Sequence, residues 1–266
     1  MRRIMVLVLC LLTFQSTTLG DISLANAKDI PFLGLEKVAS QVKEGVFAVQ
    51  IKGQQQPWEL LGTGFFVKGE PNILLGVTCA HVVAAAEEAN KPIFVGLSTD
   101  KGYRRFKCEV VSKEPNTDVA ILAFLKEDPN EEIKISEMHF MPELFGDVNS
   151  LIEGLSVITA GFPLGLGVEV DKEYPVIRIG IIAQYTKQKT FLIDGVASHG
   201  NSGSPVVAVK SDRVQLLGMV TSYMPDSIEL FDDKHKVVAI LPYNSGLAQA
   251  VTADEICKCI EKATKH

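Results

Sequence analysis

The sequence predicts an all-β protein, a sandwich or a pair of barrels, that ends in one helix. Three observations predict it. Short apolar runs rich in Val and Ile recur along the chain, separated by Gly, Pro, Asn and Asp, and such runs read as strands joined by turns. Near the C-terminus this pattern gives way to a helical one. The composition, 47% apolar and 22% charged over 266 residues, supplies a sizeable core and excludes disorder as the main state.

The first residues read as an address rather than as fold. Arg2 and Arg3 form a positive n-region, residues 4–14 an apolar h-region, and Ala25-Asn26-Ala27 an A-x-A-like cleavage site, with a second option after Gly20. The apolar run is about half of the ~20 residues a spanning helix needs. Cys10 follows Leu9, where a lipidation site wants a small residue. Residues 1–27 are expected to be a signal peptide. The mature chain, 28–266, is then exported, periplasmic or secreted, with no stable membrane insertion.

Strands are expected at 46–51, 64–67, 73–78, 93–97, 106–111 and 119–124, and again at 156–161, 176–183, 189–193, 205–209, 214–221 and 236–241. Residues 80–89 are rich in Ala and Glu and suit a short helix. The acidic, weakly periodic stretch 126–151 suits a linker between two halves, about 36–125 and 152–245. The last helix, about 252–264, has a capping box in Thr252 and Glu255 and one apolar face in Ile256, Cys259, Ile260 and Ala263. No repeat of 20–50 residues is visible.

Charge and cysteines narrow the function. A net charge of −6 does not favour a nucleic-acid surface. Beyond Cys10 the cysteines are Cys79, Cys108, Cys257 and Cys259. Cys257 and Cys259 form C-x-C, neither a redox nor a zinc spacing, and a chain of this size needs no staples, so buried free thiols are expected. The histidines, at 81, 139, 199, 235 and 266, form no ligand pair with another His or Cys. Neither a metal nor a cofactor is expected.

Three segments carry chemistry. In His199-Gly200-Asn201-Ser202-Gly203-Ser204-Pro205 a serine sits in a glycine turn at the mouth of an apolar strand, where bare backbone N–H groups suit a developing oxyanion. In Thr78-Cys79-Ala80-His81-Val82 a histidine follows an apolar run, and in Thr117-Asp118-Val119 an aspartate precedes one. Singly, each reads as an ordinary turn or a half-buried polar residue. Together they supply a nucleophile, a base that works near neutral pH and a carboxylate to orient that base. The order is His, Asp, Ser, with separations of 37 and 84 residues, which is the chymotrypsin order. A rival set of Ser202, Asp226 and His235 has hydrolase order, but His235 lies in a charged turn, Asp232-Asp233-Lys234-His235-Lys236.

On these segments, and on Gly62-Thr63-Gly64-Phe65-Phe66-Val67, Gly161-Phe162-Pro163-Leu164-Gly165-Leu166-Gly167 and Leu216-Leu217-Gly218-Met219-Val220-Thr221-Ser222, the chain resembles a trypsin-like serine protease of the chymotrypsin fold. It is nearest in style to the protease domain of the HtrA/Deg family, over about residues 36–250. The resemblance implies two six-stranded antiparallel β-barrels with the site between them. It implies catalytic His81 (base), Asp118 (orienter) and Ser202 (nucleophile), and an oxyanion hole of the Gly200 and Ser202 N–H groups. Thr221 falls near the buried aspartate, and the pocket walls come from Val196, Ala197, His199, Thr221, Ser222 and Tyr223. With no charge at Val196 or Ala197, a small or medium apolar P1 side chain is expected.

The sequence departs from that family at Ser204, where Gly is usual, and at Tyr223, which narrows or shields the pocket. About 20 residues follow Gly246, so no PDZ domain is expected. The function that follows is an exported serine endopeptidase acting on polypeptide, of open oligomeric state. The alternative is a catalytically silent domain of the same fold used for binding or as a scaffold; an esterase is a weaker third.

Overall fold

The computed structural model describes residues 35–53, 58–69, 73–99, 102–125, 144–168, 173–185, 187–210 and 213–265. The expected signal peptide, residues 126–143 of the expected linker, His139 and His266 lie outside them.

The chain enters through helix α1 (Leu35–Glu44). Strands β1 (Val46–Lys52), β2 (Trp58–Gly69), β3 (Ile73–Thr78), β4 (Ile93–Thr99), β5 (Gly102–Glu114) and β6 (Val119–Phe124) follow, with helix α2 (Ala80–Glu88) between β3 and β4. They close into an antiparallel barrel in the order β1-β2-β3-β6-β5-β4. A second barrel, β10-β11-β12-β9-β8-β7, is built from β7 (Ser156–Gly161), β8 (Val176–Gln184), β9 (Thr190–Asp194), β10 (Pro205–Lys210), β11 (Arg213–Phe231) and β12 (Val237–Thr252). Helix α3 (Ala253–Thr264) packs on β5 and β6 of the first barrel and on β11 and β12 of the second. The fold is chymotrypsin-like. Every expected strand is present, and 73–78, 119–124 and 156–161 coincide with β3, β6 and β7.

The barrels curve because their ladders slip. Bulges at Val49/Gln50, Val110/Ser112, Ile182/Gln184 and Val206/Val207 bend the strands enough to close the sheets. In the first barrel Phe47 packs tilted on Phe66, centroids 4.6 Å apart, and edge-on to Phe124 at 6.0 Å. That ring fits because residue 64 is glycine: a Cβ there would lie 2.3 Å from the ring. One buried cluster runs from this core across to Ile158, Phe162, Leu216 and Met219 of the second barrel, so the two barrels share a continuous apolar seam.

A buried carboxylate also crosses the seam. Glu173, from the segment between β7 and β8, accepts the Ala48 N–H and the Tyr103 hydroxyl of the first barrel, each at 2.8 Å. Burial pushes its carboxyl up to about 7, against the downward pull of the Ala48 N–H, the Tyr103 hydroxyl and the Arg105 guanidinium.

Several elements differ from expectation. Helix α1 is additional; it buries Val38 and Val42, one turn apart. Strand β11 does not stop at 221, nor β12 at 241. They form one long hairpin, paired from Gly218↔Thr252 to Phe231↔Val237, whose outer part exposes Ile228, Phe231, Val238 and Ile240. The second barrel's last strand therefore passes residue 245 and reaches Thr252. Pro225, Pro242 and Asn244 mimic turn residues, yet proline is tolerated where a ribbon's edge faces solvent. The expected capping box is absent. Thr252 makes no side-chain cap on α3, and Glu255 instead pairs with Lys189 at 3.5 Å and with Lys258. Within the end of the expected linker, Phe145 bridges to Leu216 and a turn at Val148–Ser150 is capped by Asp147. Cys79, Cys108, Cys257 and Cys259 are free thiols.

Candidate active site

Asp118 and His81 meet where two elements of the first barrel end. The turn before β6 puts Asp118 at φ +57°, a left-handed conformation that aspartate tolerates. From there it satisfies the start of α2, whose own N-cap residue, Cys79, makes no side-chain capping bond. The Asp118 carbonyl accepts the Ala80 N–H at 3.2 Å, Oδ1 accepts the His81 N–H at 2.9 Å, and Oδ2 lies 2.7 Å from His81 Nδ1. Helix start and imidazole are thus aligned on one carboxylate, leaving the other ring nitrogen to face outward.

Ser202 comes from the turn that leads into β10. Its hydroxyl donates to the Thr221 carbonyl at 3.2 Å, and no hydrogen bond joins it to His81. Ser202, His81 and Asp118 line one cavity of about 510 Å³ between the barrels. Unliganded sites of this type often hold the nucleophile away from its base, so the absent bond is compatible with acid–base chemistry.

The peptides of the 199–203 turn can be accounted for one by one. His199 O accepts from Leu164 N at 2.7 Å and Asn201 O from Ser204 N at 2.9 Å. Asn201 N donates to Ser198 O at 2.9 Å and Gly203 N to Val220 O at 2.8 Å. Among the described residues, the N–H groups of His199, Gly200 and Ser202 have no acceptor, and those of Gly200 and Ser202 are the pair expected to meet an oxyanion. In a trans peptide the N–H points opposite to the preceding carbonyl, so anchoring His199 O and Asn201 O directs these two donors the other way. Gly200 and Gly203 sit at φ +91° and +93°, and a Cβ on Gly203 would lie 1.8 Å from the Thr63 carbonyl oxygen.

The pocket differs in part from the sequence expectation. Ala197, His199, Thr221, Ser222 and Tyr223 line the cavity. Val196 does not; it is 52% exposed and borders a separate small cleft. Thr221 donates its hydroxyl to Gln249 O at 3.2 Å. The buried side chain beside Asp118 is Cys79, whose thiol donates to Val220 O at 3.3 Å and is pushed well up by burial and by the Asp118 charge. Asp226 and His235 lie on the projecting hairpin and do not line the cavity. The lining also includes Asn116, Thr190, Ser198 and Gln249. Gln249 reaches the site because β12 pairs it with Ser222, a long-range register that carries no local signal.

Cys79, His81 and Asp118 form the one trio of metal-capable side chains among the described residues, with ligand atoms within 4.8 Å. His81 Nδ1 and Asp118 Oδ2 are engaged with each other, and the Cys79 thiol with Val220 O.

Residues 62–219 match the trypsin-like peptidase domain family. The chain belongs to that family. The magnetosome formation protease MamE of Paramagnetospirillum magneticum is 28% identical over 160 residues, covering 56% of this chain and 18% of that protein. A probable serine protease do-like of Buchnera aphidicola is 28% identical over 176 residues, covering 65% of this chain and 32% of that protein. The chain thus spans a minor part of these relatives, and what it shares with them is an HtrA-type protease domain. The matched span of the protease domain includes His81, Asp118 and Ser202.

Proposed function

We propose that this chain is an exported serine endopeptidase that cleaves polypeptides through an acyl-enzyme. The observation that carries the reading is one cavity lined by Ser202, His81 and Asp118, beside the Gly200 and Ser202 N–H groups, which have no acceptor. In the first step the Ser202 hydroxyl leaves the Thr221 carbonyl, turns to the free imidazole nitrogen of His81 and attacks the substrate carbonyl as its proton passes to His81. Asp118 holds the ring and stabilises the imidazolium. The Gly200 and Ser202 N–H groups take the oxyanion, a contribution worth roughly 10²–10³ in rate per donor. His81 then protonates the leaving amine, and a water activated by the same imidazole releases the acyl group. No cofactor enters these steps.

Apart from His81 and Asp118, the cavity lining carries no acidic or basic side chain other than His199, and this supports a small or medium uncharged P1 residue, apolar by preference. His199 and Tyr223 meet edge to face, with ring centroids 6.1 Å apart. The arginine pair and apolar run at residues 2–14 support export. Among the described residues no helix is long and apolar enough to cross a membrane.

The bond from Ser202 to Thr221 O favours the second reading, a silent domain that binds without turnover. Cleavage of an unfolded protein by wild type and by Ser202→Ala separates the two. The endopeptidase reading expects cleavage by wild type and none by the variant; undiminished cleavage by Ser202→Ala, or binding without cleavage by wild type, overturns it.

A further inference from the structure

We propose that Thr63 is a positioning residue that locks the oxyanion-binding turn from the opposite barrel; the inference rests on the endopeptidase reading above. Thr63 lies on β2, fully buried, beside Gly62 and Gly64. Each of its polar groups is used. The hydroxyl donates to Gly200 O at 2.5 Å and accepts from Phe162 N at 3.1 Å. The backbone N–H donates to Ser202 O at 2.8 Å, and the carbonyl accepts the Thr78 hydroxyl at 2.7 Å. One residue of the first barrel therefore holds the carbonyl oxygens of both Gly200 and Ser202, whose N–H groups are left without an acceptor.

The turn needs such a restraint. Gly200 has no side chain, so its torsions are set by what holds the peptides on either side. Leu164 N–H fixes the peptide before it, through His199 O, and the Thr63 hydroxyl fixes the peptide after it. Release of Gly200 O leaves a glycine at φ +91° anchored on one side only, with the direction of its N–H resting on the Leu164 bond to His199 O alone. The same hydroxyl tethers Phe162 N, the first residue of the segment that carries Leu164, so both anchors of Gly200 depend on Thr63.

The backbone bond from Thr63 N to Ser202 O survives any substitution except proline; the hydroxyl is what side-chain exchange removes. Its loss leaves a part-buried carbonyl and a buried N–H without these partners. Fixed donors matter to rate more than to substrate binding, because they act where charge develops. Loss of the hydroxyl is therefore expected to act on kcat rather than on KM.

Two pairs of variants isolate the hydroxyl: wild type against Thr63→Val, and Thr63→Ser against Thr63→Ala. In each pair the member without the hydroxyl is expected to lose roughly 10–10²-fold in kcat with KM little changed, as for a weakened oxyanion donor. A peptidyl trifluoromethyl ketone, which places an oxyanion in the turn, is expected to bind more weakly by the same factor. The matching peptidyl alcohol, which forms no oxyanion, is expected to bind equally to both. Equal kcat within the pairs overturns the inference. So does a parallel loss for ketone and alcohol, or unfolding of the hydroxyl-free members with the residual folded fraction fully active, since either marks a purely structural residue. A wild-type protein that forms no adduct with the ketone overturns the peptidase reading itself, and the inference with it.

Discussion

Asp118 holds His81 at two points: its Oδ1 accepts the backbone N–H at 2.9 Å, and its Oδ2 meets Nδ1 at 2.7 Å. Tautomer and ring direction are thereby set by the carboxylate that also begins the helix.

Asp118→Asn keeps the shape but presents an amide to Nδ1 and so favours the wrong tautomer. Peptide hydrolysis is expected to fall by about 10⁴ in kcat, the scale seen when an orienting carboxylate becomes an amide. Steady-state kinetics on a single fluorogenic peptide measures this. A loss of less than threefold means that Asp118 does not orient the base.

Tyr223 and His199 both line the cavity and meet edge to face. Tyr223→Gly is expected to raise kcat/KM for a Phe P1 substrate about tenfold relative to an Ala P1 substrate, within the range that pocket shape controls. Comparison of Ala, Val and Phe peptides tests it. An unchanged P1 ratio contradicts the assignment of these two rings to the pocket.

Gly203 has both a left-handed backbone and no room for a Cβ, which would sit 1.8 Å from the Thr63 carbonyl oxygen. Gly203→Ala is expected to lose more than about 3 kcal/mol of stability through strain and clash together. Urea unfolding followed by far-UV circular dichroism reads this, and a wild-type midpoint would show that the turn can relax.

Glu173 carries a pH signature. Its carboxyl titrates near 4.5 when unfolded and near 7 when buried between the barrels. Between those values the native state holds a proton that the unfolded state has lost, so stability declines as pH rises from about 4.5 to 7 and levels off above. Glu173→Gln removes this decline. The two proteins are expected to draw apart between pH 5 and 8, the variant gaining roughly 1–3 kcal/mol relative to wild type. Urea midpoints at several pH values in that window check it; parallel curves contradict a buried protonated carboxyl at the seam.

Much of the architecture was legible because the barrels bury continuous Val- and Ile-rich runs bounded by turns. Strands β3, β6 and β7 fall where those runs fall. Helix α1 was not, since Val38 and Val42 mark its buried face in a ten-residue segment. The projecting hairpin was hidden by Pro225, Pro242 and Asn244, whose turn-like chemistry is harmless on a solvent-facing ribbon. His81, Asp118 and Ser202 stood out because each lies at the end of an apolar run. Gln249 and the hydroxyl of Thr63 act through partners distant in sequence, Thr63 and Gly200 being 137 residues apart, and only the closed barrels bring them to the site.

The central claim is that Ser202 is an activated nucleophile. Labelling of the folded protein with a fluorophosphonate, with the modified residue mapped by mass spectrometry, tests it most directly. The account predicts one adduct, on Ser202, lost in His81→Ala. Folded wild-type protein that takes no label, or a label on Ser202 that persists at the same rate in His81→Ala, contradicts it.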